Sequence, residues 1–318
     1  MHSKKSKLLV TNLRVLYLAT HNKVINAVNG VTFEIKENES LGIAGESGCG
    51  KSTIGSALMR NLEPSARVVN GSIILDDVDI LKLGDSDFNK DIRWKKIAMI
   101  FQGAMNTLDP VFIIQDQMEE ILRSHGDKGN AADRITVSLN DVGLDGNIAK
   151  KYPHELSGGM KQRVVIAMAL LLNPDILIAD EPTTALDVLV QAQIITLLRS
   201  LKIKRSLTII VISHDLGVIS ELADRIGIMY SGELIELGNA SEIFKNPKHP
   251  YTQFLISAIP KLRSNEKIVS LTGQAPDLAN LPDGCKFVPR CPYAMDICRK
   301  QPLRAKTQSG FVLCWLYE

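Results

Sequence analysis

The run Gly45-Glu46-Ser47-Gly48-Cys49-Gly50-Lys51-Ser52-Thr53 fits the pattern G-x-x-x-x-G-K-[ST]. Each residue type in it has a reason. Glycines let the backbone fold tightly enough to aim N–H groups at phosphate oxygens, and a helix that starts there adds the positive end of its dipole. Lys51 is placed to contact the outer phosphates of a nucleoside triphosphate, and the hydroxyl of Ser52 to ligate Mg²⁺. A chance glycine turn would not need the apolar strand-like run Leu41–Ala44 before it or the helical pattern of Lys51–Leu62 after it; both are present. Cys49 falls where only the backbone is needed and reads as tolerated rather than reactive.

Two further segments carry matching chemistry. Ile176-Leu177-Ile178-Ala179-Asp180-Glu181 is an apolar strand ending in two carboxylates. Asp180 suits Mg²⁺ at the strand end, and Glu181 suits a general base that polarises an attacking water. A structural acid pair is the alternative, and it is weak beside a phosphate loop. Leu156-Ser157-Gly158-Gly159-Met160-Lys161-Gln162-Arg163 opens a helix with a good N-cap serine and two glycines that permit close approach of an anion. One chain thus holds two anion-seeking helix starts, while one nucleotide needs only one. The expectation is a second site completed when two subunits face each other.

The elements that must position these groups are legible in outline. Leu8–Tyr17 and Val31–Ile35 read as strands with a turn signal at Asn29-Gly30, Asn70-Gly71 opens a further extended segment, and Ile97–Phe101 reads as a buried strand. Val111–Arg123 and Ala131–Val142 have helical spacing, so a helical insert separates the strands. Strands return at Ile176–Ala179, Leu207–Ile212 and Arg225–Tyr230, with helices at Val188–Lys204 and Val218–Leu222 and an edge hairpin at Gly232–Gly238. After Asn246 prolines crowd the chain, which reads as an appended, loop-rich piece held by something other than a large core.

Composition narrows the class. The 318 residues carry a formal net charge of +2, with 45% hydrophobic and 5% aromatic residues, so neither a polyanion-binding face nor a base-stacking platform is expected, and no nucleic-acid partner. The longest apolar stretch, Val164–Leu172, is far short of the ~20 residues a bilayer needs. The basic start MHSKKSKLLV lacks the apolar run of a signal peptide. A cytoplasmic chain that meets a membrane only through a partner is expected.

Taken together, the motifs resemble the ATP-binding-cassette family, in order, over about Leu8 to Gly238. LSGGMKQR resembles its signature motif and ILIADEP its Walker B strand. Thr183-Thr184-Ala185-Leu186-Asp187 resembles the D-loop that crosses the dimer interface at Asp187. Ser213-His214-Asp215 resembles the switch motif whose histidine contacts the γ-phosphate. Ile100-Phe101-Gln102 resembles the Q-loop, with Gln102 linking Mg²⁺ to the helical subdomain. Tyr17 is the aromatic that would stack on adenine. The resemblance implies an α/β phosphate-loop NTPase of ABC type: a RecA-like core with an antiparallel β subdomain and a helical subdomain over about 103–172, together spanning 1–246. It implies Mg-ATP hydrolysis with Lys51, Glu181 and His214 catalytic, and Ser157, Gly158, Gly159 and Met160 acting on the opposite subunit's ATP.

The tail points to one branch. His249-Pro250-Tyr251-Thr252-Gln253-Phe254-Leu255, then Ala258-Ile259-Pro260, and Pro289-Arg290-Cys291-Pro292 within a cysteine-bearing stretch resemble the extension of dipeptide and oligopeptide importer ATPases. Residues 247–318 are therefore expected to form a small extension. Its Cys285, Cys291, Cys298 and Cys314 are spaced C-x5-C-x6-C-x15-C, wider than the usual pairs of structural zinc. Four thiolates on longer loops also suit a [4Fe–4S] cluster. The resembled tail carries such a cluster in some members, so iron–sulfur is expected, with Zn²⁺ as the alternative. The implied partners are a second cassette subunit, identical or related, two membrane permeases and, indirectly, an external solute-binding protein, at the cytoplasmic face of a prokaryotic membrane. Oligosaccharide or nickel import, and a cassette ATPase not coupled to a permease, are the rival readings. The Q-loop departs from the group's pattern at Gly103, Ala104 and Asp109, a stretch that meets the membrane partner and leaves the nucleotide chemistry untouched.

Overall fold

The computed structural model describes residues 5–18, 23–127, 129–259, 273 and 276–318. Residues 1–4 of the basic start and Pro260 lie outside them. In chain order the elements are β1 (Ser6–Leu18), β2 (Val24–Lys36), β3 (Ser40–Ala44), α1 (Lys51–Leu58), β4 (Ala66–Leu75), β5 (Val78–Asp79), the single turn α2 (Asp85–Asp87), β6 (Ile97–Ile100), α3 (Ile114–Ser124), α4 (Ala131–Asp141), α5 (Gly158–Leu170), β7 (Ile176–Asp180) and α6 (Val188–Arg205). There follow β8 (Thr208–Ser213), α7 (Leu216–Leu222), β9 (Arg225–Tyr230), β10 (Glu233–Asn239), α8 (Ala240–Lys245), α9 (Pro250–Ser257), β11 (Arg304–Lys306) and β12 (Phe311–Leu313). The chain divides into two compact units, one of residues 1–81 with 212–318 and one of residues 82–211.

The first unit holds a four-stranded antiparallel sheet in the order β2-β1-β4-β5. Alternation along β1 turns Leu8, Val10, Leu13 and Val15 inward, and Leu8 pairs with both Ile35 and Leu75. The pattern skips a step between Val10 and Leu13, where the register shifts and Asn12 takes a φ of 48°, a bulge that keeps apolar side chains on the inner face. Asn29-Gly30 is not a turn. β2 runs straight through it because β1 pairs with it on both sides, and Asn29 is tied down by its N–H to the Gly232 carbonyl at 2.8 Å.

The same unit contains strands in the order β11-β12-β10-β9-β3. β3, buried along its whole length, pairs in parallel with β9, and β9 turns back into β10 at Ser231-Gly232. β10 was expected at an edge. It is not an edge: Glu236 pairs with Val312 and Leu237 with Phe311, so β12 covers it, and β11 pairs outside β12. A short apolar strand with unpaired backbone groups is a template for another strand, and the end of the chain fills that place.

The second unit has β8, β7 and β6 side by side, β6 and β7 parallel with Ile97 opposite Ile176 and Ile100 opposite Ala179. Its helical part is built from α3, α4 and α5. α3 buries Ile114, Met118 and Leu122, α4 buries Ile135 and Leu139, and α5 is buried on nearly every side from Val164 to Leu170. The Ser138 hydroxyl donates to the Ala167 carbonyl at 2.7 Å, and Arg205 joins Asp141 to the Leu170 carbonyl, so α4, α5 and α6 share polar ties. Among the described residues no helix is long and apolar enough to cross a membrane.

Candidate functional site

The phosphate loop sits between β3 and α1, as its spacing requires. Gly45, Gly48 and Gly50 all have positive φ, at 153°, 80° and 99°. Two of the three are also closed in by backbone: a Cβ on Gly45 would lie 2.3 Å from the Met229 carbonyl oxygen, and one on Gly50 2.0 Å from that of Ala27. Only Gly48 faces open space. The loop is therefore moulded against β9 and β2 on one side and open on the other. No side chain caps the start of α1, which leaves that helix end to be satisfied by something other than a cap.

Lys51 is 6% exposed, and its Nζ donates to the carbonyls of Gly45 at 2.8 Å and Glu46 at 2.9 Å. The ammonium is thus held inside the curl of the loop. Cys49 is buried, with Sγ 3.8 Å from Lys51 Nζ, and burial pushes its thiol up from the ordinary range. It has the character of a small core residue. Also in the first unit, Tyr17 lies half-buried on β1 opposite Ile25 and Ala66. His214 is exposed just past β8, and Asp215 caps α7 by accepting from the Gly217 N–H at 2.7 Å.

In the second unit, Asp180 ends β7 with only 3% exposure, and Glu181 follows with a φ of 49°. That left-handed turn, uncommon for a non-glycine residue, swings Glu181 away from the line of the strand. The following loop is pinned: Gln162 Nε2 donates to the Pro182 carbonyl at 2.7 Å, and Gln191 Nε2 to the Leu186 carbonyl at 3.1 Å. Asp187 is the N-cap of α6, accepting from Val190 N at 3.0 Å. Ser157 caps α5, accepting from Met160 N at 3.4 Å, and Ser157 and Gly158 stand exposed. Gln102 is exposed just beyond β6.

The cysteine expectation fails. Among the described residues no three His, Cys, Asp or Glu side chains form a group able to hold a metal ion, so neither an iron–sulfur cluster nor zinc is assigned to Cys285, Cys291, Cys298 and Cys314. Burial pushes the Cys285 thiol up to about 11, and it raises Cys291 and Cys314 as well. Packing fastens the extension instead. Phe287, 1% exposed, lies among the rings of Tyr230, Tyr251, His249 and Phe254, with centroids 5.2, 5.5, 5.7 and 6.3 Å away. β12 adds its backbone bonds to β10.

Two residues that touch the loop carried no functional reading in the sequence. The Tyr251 hydroxyl accepts from the Glu46 N–H at 2.9 Å, and Arg290 pairs with the Glu46 carboxylate. Both stand in motifs of the tail, His-Pro-Tyr-Thr and Pro-Arg-Cys-Pro, but no spacing rule connects them to a loop some two hundred residues away.

A strand, a glycine loop closed in by backbone and a helix with an uncapped start define a phosphate-loop nucleotide-binding protein of mixed α/β class. The comparisons with known proteins narrow this. Residues 28–184 match the family described as ABC transporter, and residues 235–298 match the oligopeptide/dipeptide transporter C-terminal region. The chain is 43% identical to the dipeptide transport ATP-binding protein DppD of Bacillus subtilis (strain 168), over 98% of this chain and 95% of that one. It is 45% identical to the oligopeptide transport ATP-binding protein OppD of Haemophilus influenzae, over 96% of each. Among solved structures, the dimeric cassette MJ0796 in a post-hydrolysis state bound to ADP and Pi matches with a TM-score of 0.64 at 30% identity, covering 73% of this chain and 98% of that one. The chain belongs to the ABC transporter family, as an ATP-binding protein carrying the oligopeptide/dipeptide C-terminal region.

Proposed function

We propose that this chain is the ATP-hydrolysing subunit of an importer that takes up di- and oligopeptides through partner permeases. The observation that carries it is the phosphate loop: three positive-φ glycines, two of them shut in by backbone, around a buried lysine ammonium. The peptide cargo rests on the match of residues 235–298 to the peptide-transporter C-terminal region and on relatives whose names say they serve dipeptide or oligopeptide transport.

The reaction is ATP plus water to ADP and phosphate. The loop amides of Gly48–Thr53 and Lys51 Nζ bind and orient the β- and γ-phosphates. Glu181 takes a proton from the attacking water, and His214 holds the γ-phosphate. Tyr17 stacks on the adenine. Ser52, Gln102 and Asp180 are the residues that would hold Mg²⁺. They offer a hydroxyl, an amide and a carboxylate oxygen, and Asp180 is a buried acid in an apolar strand, so the donor set suits a hard cation. When bound, that ion neutralises charge building on the phosphates.

Ser157–Met160 serve the nucleotide of a second subunit, and Asp187 lies at that subunit boundary. The exposure of Ser157 and Gly158 at the start of α5 supports this, as does the dimeric state of the matched cassette. Residues 1–246 form the nucleotide-binding domain, with the helical subdomain at about 103–172, and 247–318 the extension. The subunit is peripheral, on the cytoplasmic face of a prokaryotic membrane, and a solute-binding protein delivers the peptide outside. The test is Glu181→Gln in the assembled transporter. It should keep Mg-ATP binding while turnover falls by about 10²–10⁴-fold and peptide uptake stops. Full turnover in that variant, or turnover without any permease dependence of uptake, would refute the reading.

A further inference from the structure

Glu46, the second residue of the phosphate loop, is held at three points. Its carboxylate receives both terminal nitrogens of Arg290, Nη1 to Oε2 at 2.9 Å and Nη2 to Oε1 at 3.0 Å. This bidentate, charge-assisted arrangement is among the strongest a protein makes. Its N–H donates to the Tyr251 hydroxyl at 2.9 Å, and its carbonyl accepts from Lys51 Nζ at 2.9 Å. The first two points belong to the C-terminal region and the third to the lysine that meets the phosphates.

The Arg290 side chain is 5% exposed and well fixed: Nη1 also reaches the Tyr230 hydroxyl at 3.3 Å, and the guanidinium lies 5.8 Å from the Tyr230 ring centre. Attachment of the extension does not depend on this pair, since Phe287 and β12 already fasten it. The pair has an electrostatic consequence as well. Glu46 places a negative charge in a loop that must accept a polyanion, and Arg290 cancels it.

We infer that Arg290 and Tyr251 are positioning residues for the nucleotide. Through Glu46 they fix the two carbonyls that hold Lys51, and they keep an unpaired carboxylate from opposing the phosphates. The inference rests on the ATPase reading above. Linkage requires the reverse effect too: nucleotide on the loop must steady the stretch around Arg290.

The experiment uses the full-length chain and a fluorescent ATP analogue with Mg²⁺, together with steady-state KM and kcat. Arg290→Ala should weaken nucleotide affinity by about five- to tenfold, with KM rising more than kcat falls. Arg290→Lys should recover part of the loss, and Tyr251→Phe should show a smaller one. Adding Glu46→Gln to Arg290→Ala should restore affinity, because the orphaned charge is then gone. Hydrogen exchange over residues 285–299 should slow when Mg-ADP is added. Wild-type affinity in a folded Arg290→Ala protein, or losses from Glu46→Gln and Arg290→Ala that simply add, would overturn the inference. Should Arg290→Ala not fold, unchanged affinity in both Arg290→Lys and Tyr251→Phe overturns it. A wild-type chain that binds no nucleotide instead removes the ATPase reading beneath it.

Discussion

Adding one methyl group at Gly50 should cost the protein both nucleotide and stability, whereas the same methyl at Gly48 should cost mainly nucleotide. At Gly50 the φ is 99°, and the new Cβ would lie 2.0 Å from the Ala27 carbonyl oxygen and 3.1 Å from its carbon. Carbon contacts are comfortable at about 3.5–4.0 Å, so loop or strand must give way by more than an ångström. Ala27 is buried on β2 between the paired residues Asn26 and Val28, so its carbonyl cannot move without disturbing the ladder on both sides. Backbone strain of about 1–3 kcal/mol and overpacking of about 1–3 kcal/mol together give about 2–6 kcal/mol. Gly48 also has positive φ, 80°, but nothing lies within 4 Å of its Cβ position, so only a left-handed cost of about 1–2 kcal/mol applies. At about 2–4 °C per kcal/mol, thermal unfolding without nucleotide should fall by roughly 4–24 °C for Gly50→Ala and by roughly 2–8 °C for Gly48→Ala. Both variants should lose binding of a fluorescent ATP analogue, the first by distorting the loop and the second by filling its open side. Equal melting temperatures for the two, or a lower one for Gly48→Ala, would refute the steric argument.

Phe287→Ala removes a ring packed among four others and should destabilise the extension by about 3–5 kcal/mol. Limited proteolysis should then cut between residues 285 and 318 well before it cuts the rest. His249 is fully buried, which pushes its imidazole down to about 3, and its Nδ1 accepts from the Tyr251 N–H at 3.1 Å. The unfolded chain therefore binds a proton that the folded one refuses, and stability is lost as pH falls from about 6.5 toward 3, by up to about 1.4 kcal/mol per pH unit. His249→Asn keeps a capping acceptor and should flatten that slope in denaturant titrations between pH 7 and 5. The neighbouring Glu236 carboxyl, which burial raises, acts with the opposite sign and is present in both proteins, so the difference isolates the histidine.

The local geometry of the glycine loop, the acidic strand end and the α5 cap was legible because each is set by consecutive residues. A glycine loop between a buried strand and a helix is written in consecutive residues, and the same holds for the apolar strand ending in Asp180 and for the Ser157 cap of α5. Helical spacing located α3 and α4 to within a few residues. Asn29-Gly30 misled because turn residues also serve inside long strands. Whether the chain reverses there depends on a partner strand, and β1 keeps β2 extended on both sides. Glu181 illustrates a different limit. Its place after the strand was readable, but its φ of 49° comes from the pinned loop behind it, which is a tertiary fact.

The extension shows why cysteine spacing alone is a poor guide to what holds a loop-rich segment. Spacing counts residues, whereas a ligand set needs side chains disposed around one point, and among the described residues no such group forms. The residue that anchors the segment, Phe287, is unremarked in the sequence because one aromatic among prolines has no periodicity. Its partners come from β9, from α9 and from the turn before α9, and only folding collects them. The same fold places β12 on an edge that would otherwise be open, so a tail without its own core borrows one from the nucleotide-binding unit. Borrowing has a mechanical consequence. A segment seated on Tyr230 and Tyr251 stands one hydrogen bond from Glu46, so a displacement of the extension is transmitted to the glycine loop between β3 and α1.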